Sequence, residues 1–183
     1  DTLGAKIELV DSQNKQATQN DQVDTFITKG MTALAVNPVD RTAAGPLVEK
    51  ASAAGLPIVF LNREPEADVM QGYDKVWYVG AKAEESGTMS GEIIADYWNA
   101  NKETADKNGD GKLQYIMVTG EPGHQDATLR TEYSVKALQN AGIEVEEIGN
   151  DTAMWNKVQA TELMNAFITS QGIETIEAVL CNN

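Results

Sequence analysis

Short apolar runs alternate with segments of helical period along this chain, and this alternation constrains the fold more than any other feature. Candidate helices separate the runs, for example the helix predicted to end at Gly30 and the one from about Glu84 to Ala100. The predicted strands are 5–10, 33–37, 58–61, 77–80, 114–118, 143–148 and 176–180. Buried parallel strands are short and continuously apolar, and helices connect them. We therefore predict an α/β fold of doubly wound βαβ units.

The alternation restarts around Gly80–Ala83, which predicts two lobes. The first would comprise residues 1–81 and the second residues 82–183. Because the chain begins on a predicted strand and ends directly after another, at Asn183, we expect both lobes to be partial. Unpaired sheet edges would then favour self-association.

Charge and composition exclude several classes of protein. The 183 residues carry a formal charge of −14, which disfavours nucleic acids and anionic membrane surfaces as partners. One cysteine and one histidine support neither a disulfide framework nor a zinc cluster. Cys181 lies in the apolar run AVLC, so we predict a packed thiol. No apolar stretch reaches the length of a membrane span.

The segment DKNGDGKLQ has the oxygen spacing of a calcium loop. A glycine, Gly111, occupies the sixth position, where EF-hand loops turn sharply. Position 12 is Met117, so the usual bidentate glutamate is missing, and a predicted strand follows instead of a helix. The alternative is a solvated turn of Asp, Asn and Gly residues. The candidate ligands are Asp106, Asn108, Asp110, the carbonyl of Lys112, and Gln114.

His124, Asp126 and Arg130 form a polar cluster at the start of a predicted helix. An imidazole, a carboxylate and a guanidinium together offer the directional donors and acceptors that hydroxyl groups require. The alternative is structural, with Asp126 capping the helix and Arg130 pairing with it on the surface. A catalytic triad lacks its nucleophile, because no serine or cysteine stands in a nucleophile elbow.

Further polar and aromatic residues lie where ligands bind in such folds, beyond the carboxyl ends of strands. Asn37, Asn62 and Asn183 each fall at the carboxyl end of a predicted strand. Trp155 follows a plausible helix cap in DTAMW, where it is either a core residue or an aromatic plate for a sugar ring. The segment GEPGH lacks the spacing of a phosphate loop.

Five segments carry a resemblance to a known family: IVFLNREP, DKNGDGKLQ, GEPGHQDATLR, DTAMW and IEAVLCNN. In this order and at these intervals they resemble the periplasmic D-glucose/D-galactose-binding proteins, which belong to the type I periplasmic binding proteins. The resemblance implies that a distant glutamate, Glu177, completes the shell of a structural Ca²⁺ ion. It also implies sugar contacts by Asn62, His124, Asp126, Arg130 and Asn183, with Trp155 stacked on the ring.

The function implied by the resemblance is non-catalytic binding of D-glucose or D-galactose by closure of two lobes. The implied partners are an ABC-type sugar permease and a chemoreceptor, and the implied location is the periplasm, or a lipid anchor outside a Gram-positive cell. The family carries further sugar ligands before and after the stretch that is matched here, so we expect the 183-residue chain to bind sugar weakly or not at all.

Two other classes of protein stay open. A sugar-sensing domain of a transcription regulator shares this fold, but a basic helix-turn-helix is not seen in the sequence. A glycoside-processing enzyme needs two carboxylates across the sugar, and only Asp126 is a candidate.

Overall fold

The computed structural model describes residues 4–183, which separate into two compact units, one ending at Gly80 and one spanning Ala81–Asn183. Each unit contains a sheet of three parallel strands with helices between them. Parallel strands connected by helices confirm the predicted α/β fold.

The first unit has the strand order β1-β2-β3, so each strand pairs with its neighbour in sequence. The central strand buries Ile58 and Phe60 completely, and Leu47 packs in the same core. A 3-10 turn precedes the second helix at Arg41–Ala43. The elements are α1 (Gln16–Thr28), β1 (Leu34–Val36), α2 (Gly45–Ala53), β2 (Ile58–Leu61), α3 (Ala67–Gln71) and β3 (Val76–Val79).

The strand predicted at residues 5–10 is wrong. Among the described residues, no strand precedes β1, and Ile7 and Leu9 are 85% and 91% exposed. A strand forms only where a neighbour accepts and donates its main-chain hydrogen bonds, and β1 pairs with β2 alone. Within the part of the chain that the structure describes, the segment 5–10 therefore has no neighbouring strand to pair with.

The second unit has the strand order β5-β4-β6, with β4 in the centre. Six consecutive β4 residues, 113–118, are buried, which explains why this run is apolar except for Gln114. None of the described helices has the length and apolar character needed to cross a membrane. The elements are α4 (Ala83–Ala100), α5 (Lys102–Ala105), β4 (Lys112–Thr119), α6 (Gln125–Asn140), β5 (Glu144–Thr152), α7 (Lys157–Gln171), a 3-10 turn (Ile173–Thr175) and β6 (Ala178–Cys181).

Helices α4 and α6 approach each other closely through two glycines. A Cβ atom on Gly91 would lie 2.2 Å from the carbonyl oxygen of Ser134, and one on Gly87 would lie 2.9 Å from main-chain atoms of Arg130. Any larger residue would force the helices apart. This contact fixes the helix that carries Arg130, one of the candidate binding residues.

Candidate functional site

The carboxyl ends of β4, β5 and β6 meet at one edge of the second sheet, as parallel strands require. A cavity of about 280 Å³ lies at this edge, and Trp155, Cys181 and Asn183 are among the residues that line it. Cys181 is exposed, so the prediction of a packed thiol is wrong. Partial burial still raises the pKa of the Cys181 thiol, which disfavours the reactive thiolate.

His124 begins helix α6 and contacts Trp155. Its Nδ1 atom accepts the main-chain N–H of Asp126 at 3.1 Å, so His124 caps the helix, and not Asp126 as the structural alternative proposed. The neutral imidazole therefore carries its proton on Nε2. The ring centroids of His124 and Trp155 lie 5.1 Å apart, with the rings edge to face. This contact joins the start of α6 to the loop after β5.

Asp126 and Arg130 form an ion pair one helical turn apart, with Oδ2 of Asp126 2.9 Å from Nη2 of Arg130. The i,i+4 pair of the structural alternative is therefore present. It is not a solvated surface pair, since the two side chains are only 13% and 22% exposed. Nη1 of Arg130 donates to the carbonyl of Asn182 at 2.7 Å, and Nε is enclosed without a hydrogen-bond partner. The guanidinium is thus held from two sides.

Asn182 is a residue of this site that the sequence analysis missed. It is 3% exposed, and its side chain accepts the N–H of Gly120 and donates to Oγ1 of Thr131, both at 2.8 Å. Its main-chain N–H donates to the carbonyl of Val118 at 3.2 Å. The sequence did contain a signal for it, namely two adjacent asparagines, Asn182 and Asn183, at a strand end. Adjacent strand residues point in opposite directions, so one of the two is expected to point inward.

Trp155 adopts a left-handed main-chain conformation with φ of 59°, and Met154 before it has φ of 51°. A helix cannot include residues with these values, which explains why α7 begins only at Lys157. The indole lies against Gly120, where a Cβ atom would fall 2.2 Å from the ring. Such strain persists only where the surroundings hold it, and it concentrates at ligand sites.

Asn62 is the predicted sugar contact that belongs to the first unit. It directly follows β2 and also has a left-handed conformation, with φ of 63°. Its carbonyl accepts the hydroxyl of Tyr78 at 3.0 Å, and its N–H donates to the carbonyl of Val79 at 3.3 Å. The side chain of Asn62 is exposed at the carboxyl end of the first sheet.

Hydrogen bonds between its own side chains and main chain stabilise the predicted calcium loop. Oδ2 of Asp106 accepts the N–H of Gly111 at 2.9 Å, and Oδ1 of Asn108 accepts the N–H of Asp110 at 2.9 Å. The N–H of Lys112 donates to Oδ1 of Asp110 at 2.8 Å, and this bond is the main cause that lowers the pKa of the Asp110 carboxyl. Gly111 has φ of 83°, which favours glycine at this turn.

Glu177 lies at this loop although it is far away in sequence. Its carboxylate accepts the N–H of Lys107 at 2.6 Å and the N–H of Gln114 at 2.9 Å. Its own N–H donates to the carbonyl of Gln114 at 3.0 Å. The structure therefore brings the distant glutamate, as the resemblance implied, to both ends of the loop.

Two predicted calcium ligands carry buried oxygens without hydrogen-bond partners, namely Oδ1 of Asp106 and Oε1 of Gln114. Buried oxygens are almost always paired, so two unpaired oxygens in one loop fit a cation that prefers oxygen ligands, as Ca²⁺ does. Within residues 4–183, no three or more His, Cys, Asp or Glu side chains are grouped to hold a metal ion. The proposed shell instead depends on amide and main-chain oxygens beside the carboxylates.

Comparison with known proteins defines the family. The model of the periplasmic binding protein domain matches residues 1–183. The chain therefore belongs to the periplasmic binding protein family. This membership agrees with the prediction of a binding protein and not an enzyme.

Individual relatives cover nearly all of the chain. The D-galactose/methyl-galactoside binding periplasmic protein MglB of Haemophilus influenzae is 42% identical over 180 residues, which are 98% of this chain and 54% of that protein. The putative rhizopine-binding protein of Rhizobium meliloti is 33% identical over 184 residues, 98% of this chain and 54% of that protein. The chain thus spans about half the length of these relatives.

Solved structures give the same fold. A solute binding protein of an ABC transporter from Bacillus halodurans, with bound myo-inositol, superposes with a TM-score of 0.78 at 28% identity, covering 94% of this chain and 54% of that one. A galactofuranose binding protein superposes with the same TM-score of 0.78 at 22% identity, covering 96% of this chain and 55% of that one, and supports the fold alone.

Proposed function

We propose that this chain is part of a sugar-binding protein that delivers D-galactose or D-glucose to an ABC-type permease. The observation that carries the proposal is the partly buried Asp126–Arg130 pair, which the His124 cap links to the strained Trp155 at the same sheet edge. The relative with 42% identity is named for binding D-galactose and methyl-galactoside.

The chemistry of the cluster suits a pyranose. Asp126 accepts and Arg130 donates hydrogen bonds in fixed planes, which is the geometry that ring hydroxyls need. The indole of Trp155 supplies an apolar surface for the C–H face of the ring. Asn183, which lines the cavity as Trp155 does, adds an amide with both donors and an acceptor. Nδ1 of His124 caps the helix, so the ring proton is on Nε2, which adds a hydrogen-bond donor to the cluster.

The broader class of ligand is supported by the names of other relatives. They include proteins named for ribose and xylitol, and the Bacillus halodurans structure holds myo-inositol. All of these ligands are rich in hydroxyl groups, which fits the polar cluster. A periplasmic or cell-surface location, and signalling through a chemoreceptor, belong to the same proposal and rest on the family. Asn62 stays a predicted sugar contact.

A direct test is titration of the chain with D-galactose and D-glucose, observed by saturation-transfer NMR, which detects weak binding. We expect transfer to the sugar protons with a dissociation constant in the millimolar range, because half of the relatives' length is absent from this chain. Asp126→Asn should abolish the transfer, whereas Asp96→Asn, at an exposed position of α4, should retain it. Equal transfer in both variants would reject the assignment of Asp126.

We further propose that the loop holds a structural Ca²⁺ ion. The buried orphan oxygens of Asp106 and Gln114 carry this proposal. When bound, the ion would offset the negative charge of the loop and cross-link it to Glu177. A thermal melt in Ca²⁺ and in chelator tests the site, because an ion that binds only the native state raises the midpoint. The ligands would be Asp106, Asn108, Asp110, the carbonyl of Lys112, Gln114 and Glu177.

A further inference from the structure

Lys107, the second residue of the calcium loop, connects the loop to the segment that supplies Glu177. Its ammonium donates to the carbonyl oxygens of Ile176 at 2.6 Å and Ile173 at 3.2 Å. Its main-chain N–H donates to the Glu177 carboxylate at 2.6 Å. One residue therefore holds the segment 173–177 with three hydrogen bonds, none of which involves a metal ion.

The loop that contains Lys107 is acidic. Asp106 and Asp110 lie in the same loop, and Gln114 contacts the carboxylates of both Asp110 and Glu146, at 2.8 Å and 3.4 Å. Without a cation, the carboxylates of the loop and Glu177 repel one another and oppose closure of the loop. A fixed ammonium at this point reduces the repulsion and supplies directional hydrogen bonds.

We propose that Lys107 is a positioning residue that keeps the loop closed on segment 173–177 when no metal ion is bound. The inference rests on the proposed calcium site and adds how that site is regulated. Lys107 makes the fold less dependent on Ca²⁺, because it stabilises the metal-free loop. It also weakens the affinity for the ion, because a positive charge carried by a residue of the same loop repels a dication.

Both effects of Lys107 reduce the stabilisation that Ca²⁺ provides, so one experiment measures them together. Removing the ammonium destabilises the metal-free protein and strengthens Ca²⁺ binding, so the stabilisation that Ca²⁺ provides must increase. If Lys107 only stabilised the fold, its removal would destabilise the metal-free and metal-bound proteins equally. The increase in calcium-dependent stability therefore separates a positioning role toward the ion from a purely structural one.

The test compares Lys107→Met with Lys102→Met, an exposed lysine of the preceding helix α5. Thermal midpoints are measured in chelator and in saturating Ca²⁺, and the dissociation constant for Ca²⁺ is measured by calorimetry. We expect Lys107→Met to lower the midpoint in chelator more than in Ca²⁺ and to bind Ca²⁺ roughly two- to fivefold more tightly. Lys107→Arg, which keeps the charge, should behave as the unmodified chain does.

Equal losses with and without Ca²⁺, or a Lys107→Met protein that behaves as Lys102→Met does, would overturn the inference. If Lys107→Met does not fold, Lys107→Gln is measured in the same way. The unmodified chain is measured first. If it shows no response to Ca²⁺ by either method, the proposed calcium site fails, and the role of Lys107 fails with it. If the unmodified chain responds to Ca²⁺ but Lys107→Met shows no larger calcium-dependent stabilisation, only the proposed role of Lys107 is rejected.

Discussion

The carbonyl of Asn182 accepts a hydrogen bond from Nη1 of Arg130 at 2.7 Å, and this bond ties the end of β6 to helix α6. The buried side chain of the same asparagine holds Gly120, the residue against which Trp155 lies. One residue therefore supports both the polar and the aromatic parts of the candidate site.

Asn182→Ala should destabilise the chain by about 1–3 kcal/mol, because it leaves the enclosed N–H of Gly120 without an acceptor. The measurement is the free energy of unfolding in urea. Asn183→Ala is the matched control, since Asn183 is exposed and the change should stay within about 0.5 kcal/mol. Equal losses in the two variants would contradict the supporting role of Asn182.

Gly120→Ala should displace Trp155, because the added Cβ atom would overlap the indole. We expect a stability loss of about 1–3 kcal/mol and a changed NMR resonance of the Trp155 indole N–H. Gly45→Ala is the control, since a Cβ atom there would only reach ordinary contact at 4.0 Å with Val69. An unchanged Trp155 resonance in Gly120→Ala would show that the indole does not lie against this glycine.

Glu177→Gln should remove most of the calcium-dependent rise in the thermal midpoint, because an amide is a weaker calcium ligand than a carboxylate. The variant also loses one acceptor for the loop N–H groups, so its midpoint in chelator should fall as well. Glu174→Gln, at an exposed position of the neighbouring 3-10 turn, should respond to Ca²⁺ as the unmodified chain does. A full calcium response in Glu177→Gln would exclude Glu177 as a ligand.

Stability should fall at alkaline pH because of Tyr115. Burial, followed by the nearby Glu147 carboxylate, raises the pKa of Tyr115 to about 12. The unfolded chain loses this proton near pH 10, so its deprotonation favours unfolding between about pH 10 and 12. We expect a loss of roughly 1 kcal/mol between pH 10 and 11.

The comparison for this effect is Tyr115→Phe, which lacks the ionisable hydroxyl. Its free energy of unfolding should be lower at pH 8, because the 3.1 Å hydrogen bond to Glu147 is lost. Between pH 10 and 12 it should decline less steeply than that of the unmodified chain. Parallel declines would show that Tyr115 does not cause the loss.

Parts of the fold followed from local patterns in the sequence. The buried run of β4 and the helix beginning after His124 were predictable because burial on both faces and helical period are local properties. The strand predicted at residues 5–10 was wrong because pairing depends on a neighbour that the segment itself does not specify.

The site was only partly predictable for a similar reason. Spacing indicated the candidate oxygen ligands from Asp106 to Gln114, but the approach of Glu177 depends on the order of the strands and came from the family resemblance. His124 was expected to bind a ligand and not to cap a helix, since histidine is an uncommon cap. Asn182 was missed because the register of β6 decides which of two adjacent asparagines is buried.

The proposed sugar site is tested most directly by a D-galactose titration in which NMR follows the indole N–H resonances of the three tryptophans. We predict that the Trp155 resonance shifts in a saturable way at millimolar D-galactose. The resonances of Trp98, which is buried in the second unit, and Trp77, which lies on β3 of the first, should not move. A Trp155 resonance that does not shift at D-galactose concentrations well above about 10 mM would contradict the proposed sugar site.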